Sequence, residues 1–166
     1  NNEINYVLSV FLNNIIDKKE LTKADVKKYR IKLGLANTDD DNTPKKETRS
    51  RKIVDIFKEI SEDKCAICGT TKTFTEKGTG RQHFEIHHVI SVKSGDMNEL
   101  DKIENLVKLC PTCHESLRKG SAPVEKQIES CKKILQNNDL VFNFCSAYFG
   151  TNDFEILAKR VQENLK

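Results

Sequence analysis

A chain of 166 residues is long enough for one ordinary domain, or for a small catalytic module with helices packed around it. Hydrophobic residues make up 37% and charged residues 32%, a balance that excludes a disordered tail and suits a soluble globular protein. No run approaches the roughly 18 apolar residues of a spanning helix, and Asn1-Asn2-Glu3 does not open a secretory signal, so a cytoplasmic chain with no membrane partner is expected. The net charge of +3 is too small to establish a polyanionic partner.

In chain order, Ile4, Val7, Leu8, Phe11, Leu12, Ile15 and Ile16 recur at helical spacing and predict an amphipathic helix. A second helix is expected over Lys23 to Leu33, stopping near Gly34. The polar stretch Ala36 to Glu47, with Asp39-Asp40-Asp41 and Pro44, then reads as a linker. Lys45, Lys46, Arg49, Arg51 and Lys52 crowd one short segment against Glu47 alone. Such a cluster can neutralise phosphates or simply form a solvated loop and helix start. Ile53, Ile56, Phe57 and Ile60 predict a helix leading to Cys65, and the β-branched and aromatic residues from Gln82 to Ile90 favour a strand. A shorter strand is expected at Leu106 to Leu109, with the polar loop Ser91 to Lys102 before it and a helix from His114 after it. Beyond Gly120 the pattern is helical: Val124, Ile128, Cys131 and Leu135, then Leu140 to Phe149 closed by Gly150. Thr151 or Asn152 is placed to cap a last helix with Phe154, Leu157, Val161 and Leu165 on its inner face. Three segments result: a helical segment and linker (1–47), a central core (48–122) and a C-terminal helical segment (123–166).

Cys65-Ala66-Ile67-Cys68 and Cys110-Pro111-Thr112-Cys113 are two C-x-x-C knuckles, each able to present two thiolates from a tight turn. Four thiolates close a tetrahedral zinc shell and leave no position for substrate, so this zinc would be structural. Paired disulfides fit poorly with a cytosolic compartment, and a thioredoxin-like redox pair needs only one such motif in a βαβ setting. Cys131 and Cys145 fall on apolar helical stripes and read as buried small hydrophobes.

All four histidines, His83, His87, His88 and His114, lie between or beside the knuckles. Neighbours on a strand point to opposite faces unless the strand is ending, where one can turn toward a metal and the other toward a water. Cys65-x-x-Cys68, Glu85-Ile86-His87-His88-Val89-Ile90 and Glu104-Asn105-Leu106-Val107-Lys108-Leu109-Cys110-Pro111-Thr112-Cys113-His114 together resemble the HNH, or ββα-metal, nucleases in their four-cysteine subtype.

That resemblance implies an α+β fold: a small ββα-metal core with a zinc knuckle, flanked by N- and C-terminal helices. It implies a metal-dependent endonuclease, of the restriction or defence type, that hydrolyses phosphodiester bonds with one divalent ion, Mg2+ or another, and a histidine-activated water. Mapped residue by residue, it gives His87 and His114 as ligands of the catalytic metal, His88 as general base and Asn105 as the residue that orients it. Where some members carry a further histidine one helical turn beyond the last, this chain has Arg118, so no third protein ligand is identified. His83 reads as a satisfied core or surface histidine, and Glu85 as a solvated strand carboxylate or a partner behind the site.

The chemistry agrees with these roles. Hydrolysis needs an activated water on one side of phosphorus and a cation stabilising the transition state on the other. An imidazole with a pKa of about 6.5 can accept the proton if a hydrogen bond fixes its tautomer. Double-stranded DNA is the favoured substrate, with RNA left open. Arg49, Arg51, Lys52, Arg118 and Lys119 are the expected nucleic-acid contacts, to backbone rather than bases. The flanking helices are available for target recognition, a homodimer interface or a partner defence subunit. The rival reading, a non-catalytic zinc module that binds nucleic acid or protein, explains the cysteines but not His88 beside His87.

Overall fold

The computed structural model describes residues 49–94 and 97–166, and the chain divides into two compact units, Asn1–Ser61 and Glu62–Lys166. The helices expected over residues 4–16 and 23–33, the linker, and Lys45 and Lys46 lie outside the described residues. In the first unit, α1 spans Arg49–Ile60. It is amphipathic: Ile56, Phe57 and Ile60 are buried, whereas Asp55 and Glu59 are exposed.

The second unit begins with the first cysteine knuckle and a short hairpin closed by a bridge between Thr75 and Gln82. Two strands follow, β1 (Glu85–His88) and β2 (Leu106–Leu109), paired antiparallel with Glu85 opposite Leu109 and His88 opposite Leu106. The first strand is shorter than the expected 82–90 because Gln82 is engaged elsewhere: its Oε1 accepts the Thr73 N–H at 2.7 Å. Between the strands run two 3-10 turns, Val92–Ser94 and Ile103–Asn105, and the one-turn helix α2 (Met97–Leu100).

Helix α3 spans Pro111–Ser116, starting inside the second knuckle rather than at His114. Proline presets the first helical residue, and the Cys110 sulfur accepts the Cys113 N–H at 3.4 Å, so the knuckle itself nucleates the turn. Three longer helices complete the unit: α4 (Val124–Gln136), α5 (Asp139–Phe149) and α6 (Phe154–Glu163). Gly150 closes α5 in the left-handed region at φ 69°, a conformation that side chains with a Cβ resist. Asp153 caps α6, in place of Thr151 or Asn152, its Oδ1 accepting the Ile156 N–H at 3.0 Å.

One apolar cluster unites these elements: Val89 and Ile90 after β1, Val107 and Leu109 from β2, Leu117 after α3, and Ile134, Val141, Leu157 and Val161 from the long helices. Cys131 and Cys145 belong to it and are fully buried, which drives both thiols up to about 12. They are core residues. This is a mixed α+β module in which three helices back a two-stranded sheet.

Candidate functional site

The four knuckle sulfurs converge, with all four Sγ atoms within 4.8 Å of one another. Zinc–sulfur bonds of about 2.3 Å set a tetrahedral edge of about 3.8 Å, and Cys68 and Cys110 stand 3.8 Å apart. The first knuckle is fastened to β2 by the Ala66 N–H, which donates to the Lys108 carbonyl at 2.9 Å. Lys108 is almost wholly buried, and its Nζ meets Asp63 at 2.7 Å. Burial pushes the Cys65 thiol up, but backbone amides from Cys110, Cys68 and Ile67 outweigh it and bring it to about 7. Cys113 moves the other way, raised by burial and by the neighbouring sulfurs. Four crowded sulfurs cannot all ionise unless a cation neutralises them. The donor set and its spacing fit a zinc ion.

Beside the knuckle, β1 ends at His88, and at this strand end both members of the histidine pair line one cleft of about 230 Å³ together with His114. The His87 and His114 rings lie edge to face with centroids 5.7 Å apart. The His87 Nε2 is buried and has no hydrogen-bond partner. Desolvation, then the charges of His114 and His88, lowers its pKa to about 3, so the ring stays neutral, with one nitrogen lone pair available. An orphaned imidazole nitrogen next to a second imidazole fits a divalent cation, because coordination would satisfy the atom the fold leaves unpaired.

His88 is held differently. Its Nε2 lies 3.1 Å from Asp101 Oδ1, and Asp101 is only 7% exposed. An ionised carboxylate only accepts, so Nε2 carries the proton and donates it, leaving Nδ1 as the free acceptor. Asn105, fully buried, makes three hydrogen bonds of 2.8 Å: Oδ1 accepts the Ile90 N–H, and Nδ2 donates to the carbonyls of Ile90 and Leu100. This clasp ties the end of β1 to the residue before Asp101. Asn105 therefore reaches His88 through backbone, and Asp101 reaches it directly. Asp101 escapes motif reading because it lies thirteen residues from His88 in sequence, inside a segment that reads as polar loop.

The other named residues are placed as follows. His83 is bracketed by Glu76 and Glu85, each 2.8 Å from a ring nitrogen, and stacks on Phe74 at 4.7 Å. Arg118 and Lys119 are exposed in the turn after α3, with Arg118 3.3 Å from Glu115. Arg49, Arg51 and Lys52 lie in the first turn of α1, in the first unit, and their side chains are outside the described part.

Taken together, paired strands, a following helix, a four-cysteine shell and a cleft with three histidines define a small zinc-knuckle module of ββα design. Residues 65–120, which contain both knuckles, β1, β2, α3 and every histidine of the cleft, match the family model described as HNH endonuclease. This segment of the chain is similar to that family. No curated protein and no solved structure matches the chain significantly. No helix among the described residues is long and apolar enough to cross a membrane.

Proposed function

We propose that the chain is a metal-dependent endonuclease that hydrolyses phosphodiester bonds in double-stranded DNA, in a restriction or defence setting and in the cytoplasm. The observation that carries this reading is the buried, unpartnered His87 Nε2 beside His114, one residue from a histidine whose Nδ1 is free and whose Nε2 is fixed. The HNH match and the reduced-cysteine composition support it.

His88 Nδ1 takes the proton from the attacking water, while Asp101 holds the ring and stabilises the imidazolium that forms. Asn105 fixes the loop that delivers Asp101. His87 and His114 would hold a divalent cation, Mg2+ or another, which supplies charge stabilisation for the transition state and the leaving oxygen. The two histidines of the pair are held differently, the His87 ring desolvated and the His88 ring fixed by Asp101.

The test is cleavage of plasmid DNA and of RNA with magnesium, manganese or chelator, by the parent and by three variants. His88→Ala should lose the factor of about 10²–10⁴ that a general base contributes, while divalent-ion binding by calorimetry stays intact. His87→Ala should lose both cleavage and ion affinity. Asp101→Asn should lower turnover by about tenfold or more with the ion affinity preserved. An inert parent on every substrate, or His88→Ala cutting at the parental rate, would overturn the proposal in favour of a non-catalytic zinc module. Product topology separates a single cleft, which nicks, from a homodimer or partner subunit that cuts both strands.

A further inference from the structure

The cleft wall contains residues that no motif marks. Besides the histidines and apolar Ile86, Val89, Val92 and Leu165, it is lined by Lys93 and Lys166, and none of its lining residues is acidic. Both lysines are exposed, and neither has an ion-pair partner among the described residues. Their backbones are nonetheless fixed. Lys93 sits in the 3-10 turn Val92–Ser94, its N–H donating to Ser91 Oγ at 3.3 Å. Leu165 is buried in the core at 5% exposure, and the Lys166 carbonyl accepts the Lys119 N–H at 3.3 Å. A lysine side chain is a flexible four-carbon stem with a point charge at its tip, so anchoring only its backbone gives an adaptable charge at a set place, suited to an anion spread along a chain.

We propose that Lys93 and Lys166 bind the backbone phosphates adjoining the scissile one, so that the turn after α6 is a wall of the substrate site. This rests on the nuclease reading and adds to it the residues that hold the strand. A cleft lined by two lysine ammonium groups and by no acidic side chain attracts a polyanion, which makes the phosphate backbone the ligand it fits. Contacts of this kind set register and carry no sequence information.

Binding of a fluorescently labelled 20-base-pair duplex is measured by anisotropy over a range of NaCl concentrations in the cleavage-dead His88→Ala chain. The same chain carries in addition Lys93→Gln with Lys166→Gln, or Lys159→Gln, an exposed α6 lysine that does not line the cleft. Each phosphate contact contributes about 0.9 to the slope of log affinity against log salt on duplex DNA. The double substitution should therefore flatten the slope by about 1.8 for every duplex sequence, and raise KM in the otherwise parental enzyme with little change in kcat. Lys159→Gln should change neither. Zinc content and thermal midpoint, expected to be parental because both side chains are solvent-exposed, confirm folding, and single substitutions carry the test should the double one misfold. An unchanged slope and KM in an enzyme that still cuts overturns this assignment alone. A parent that binds duplex but cuts nothing removes the nuclease reading, and the lysine assignment then stands or falls on its slope.

Discussion

His83 and His87 lie four residues apart and are driven in opposite directions. Hydrogen bonds to Glu85 and then Glu76 raise His83 above its ordinary value, whereas desolvation lowers His87 to about 3. The stability contributed by His83 is full below an unfolded pKa of about 6.5 and is lost as pH rises through the folded value. For His87 the folded state excludes a proton that the unfolded chain accepts, so stability is full above about 6.5 and falls as pH drops toward 3. In divalent-free buffer, NMR titration should give His83 a midpoint above 6.5 that Glu85→Gln brings back down, and His87 no titration until strongly acid pH. A His87 midpoint near 6.5 would show that its ring is solvated. Sequence named His87, His88 and His114 through their motif, but the partners that tune them are invisible there. Glu76 is seven residues from His83 and Asp101 thirteen from His88, and only the fold brings them into contact.

Elements with a short-range cause were legible. The C-x-x-C turns, the strand Leu106–Leu109 and the α5 stop at Gly150 follow from spacing, β-branching and glycine's access to positive φ. Boundaries set by tertiary partners were not: β1 lost its first three expected residues because Gln82 belongs to the preceding hairpin. The start of α3 moved into the knuckle because Cys110 serves as both cap and prospective ligand. That coupling has an energetic consequence, since the helix carrying His114 is nucleated by residues that need neutralisation. Elemental analysis should therefore find one tightly held zinc, and Cys68→Ala or Cys113→Ala should lose it together with much of the folded signal. A zinc-free native protein of undiminished stability would contradict this.

At the scale of the whole second unit, one apolar cluster runs from the strands to α4, α5 and α6, so the cleft and the C-terminal helices stand on the same core. Leu157, wholly buried on α6, packs in it. Leu157→Ala should cost about 2–5 kcal/mol, read from urea unfolding, and should reduce cleavage by loosening the cleft floor; a loss under 1 kcal/mol would show that α6 is not integral. The roles of α4 to α6 as packing helices were readable from their 3.6-residue stripes, but the approach of the turn after α6 to the histidine cleft was not, because periodicity says which face is buried and not what it meets. The hydrogen bond from the Lys119 N–H to the Lys166 carbonyl holds Lys166 beside the turn after α3. Any extension past Lys166, whether a natural continuation, an affinity handle or a dye, would begin at the mouth of the cleft. It would crowd incoming polymer there, so a bulky fusion at that point would act as a steric plug and a small fluorophore as a reporter of occupancy.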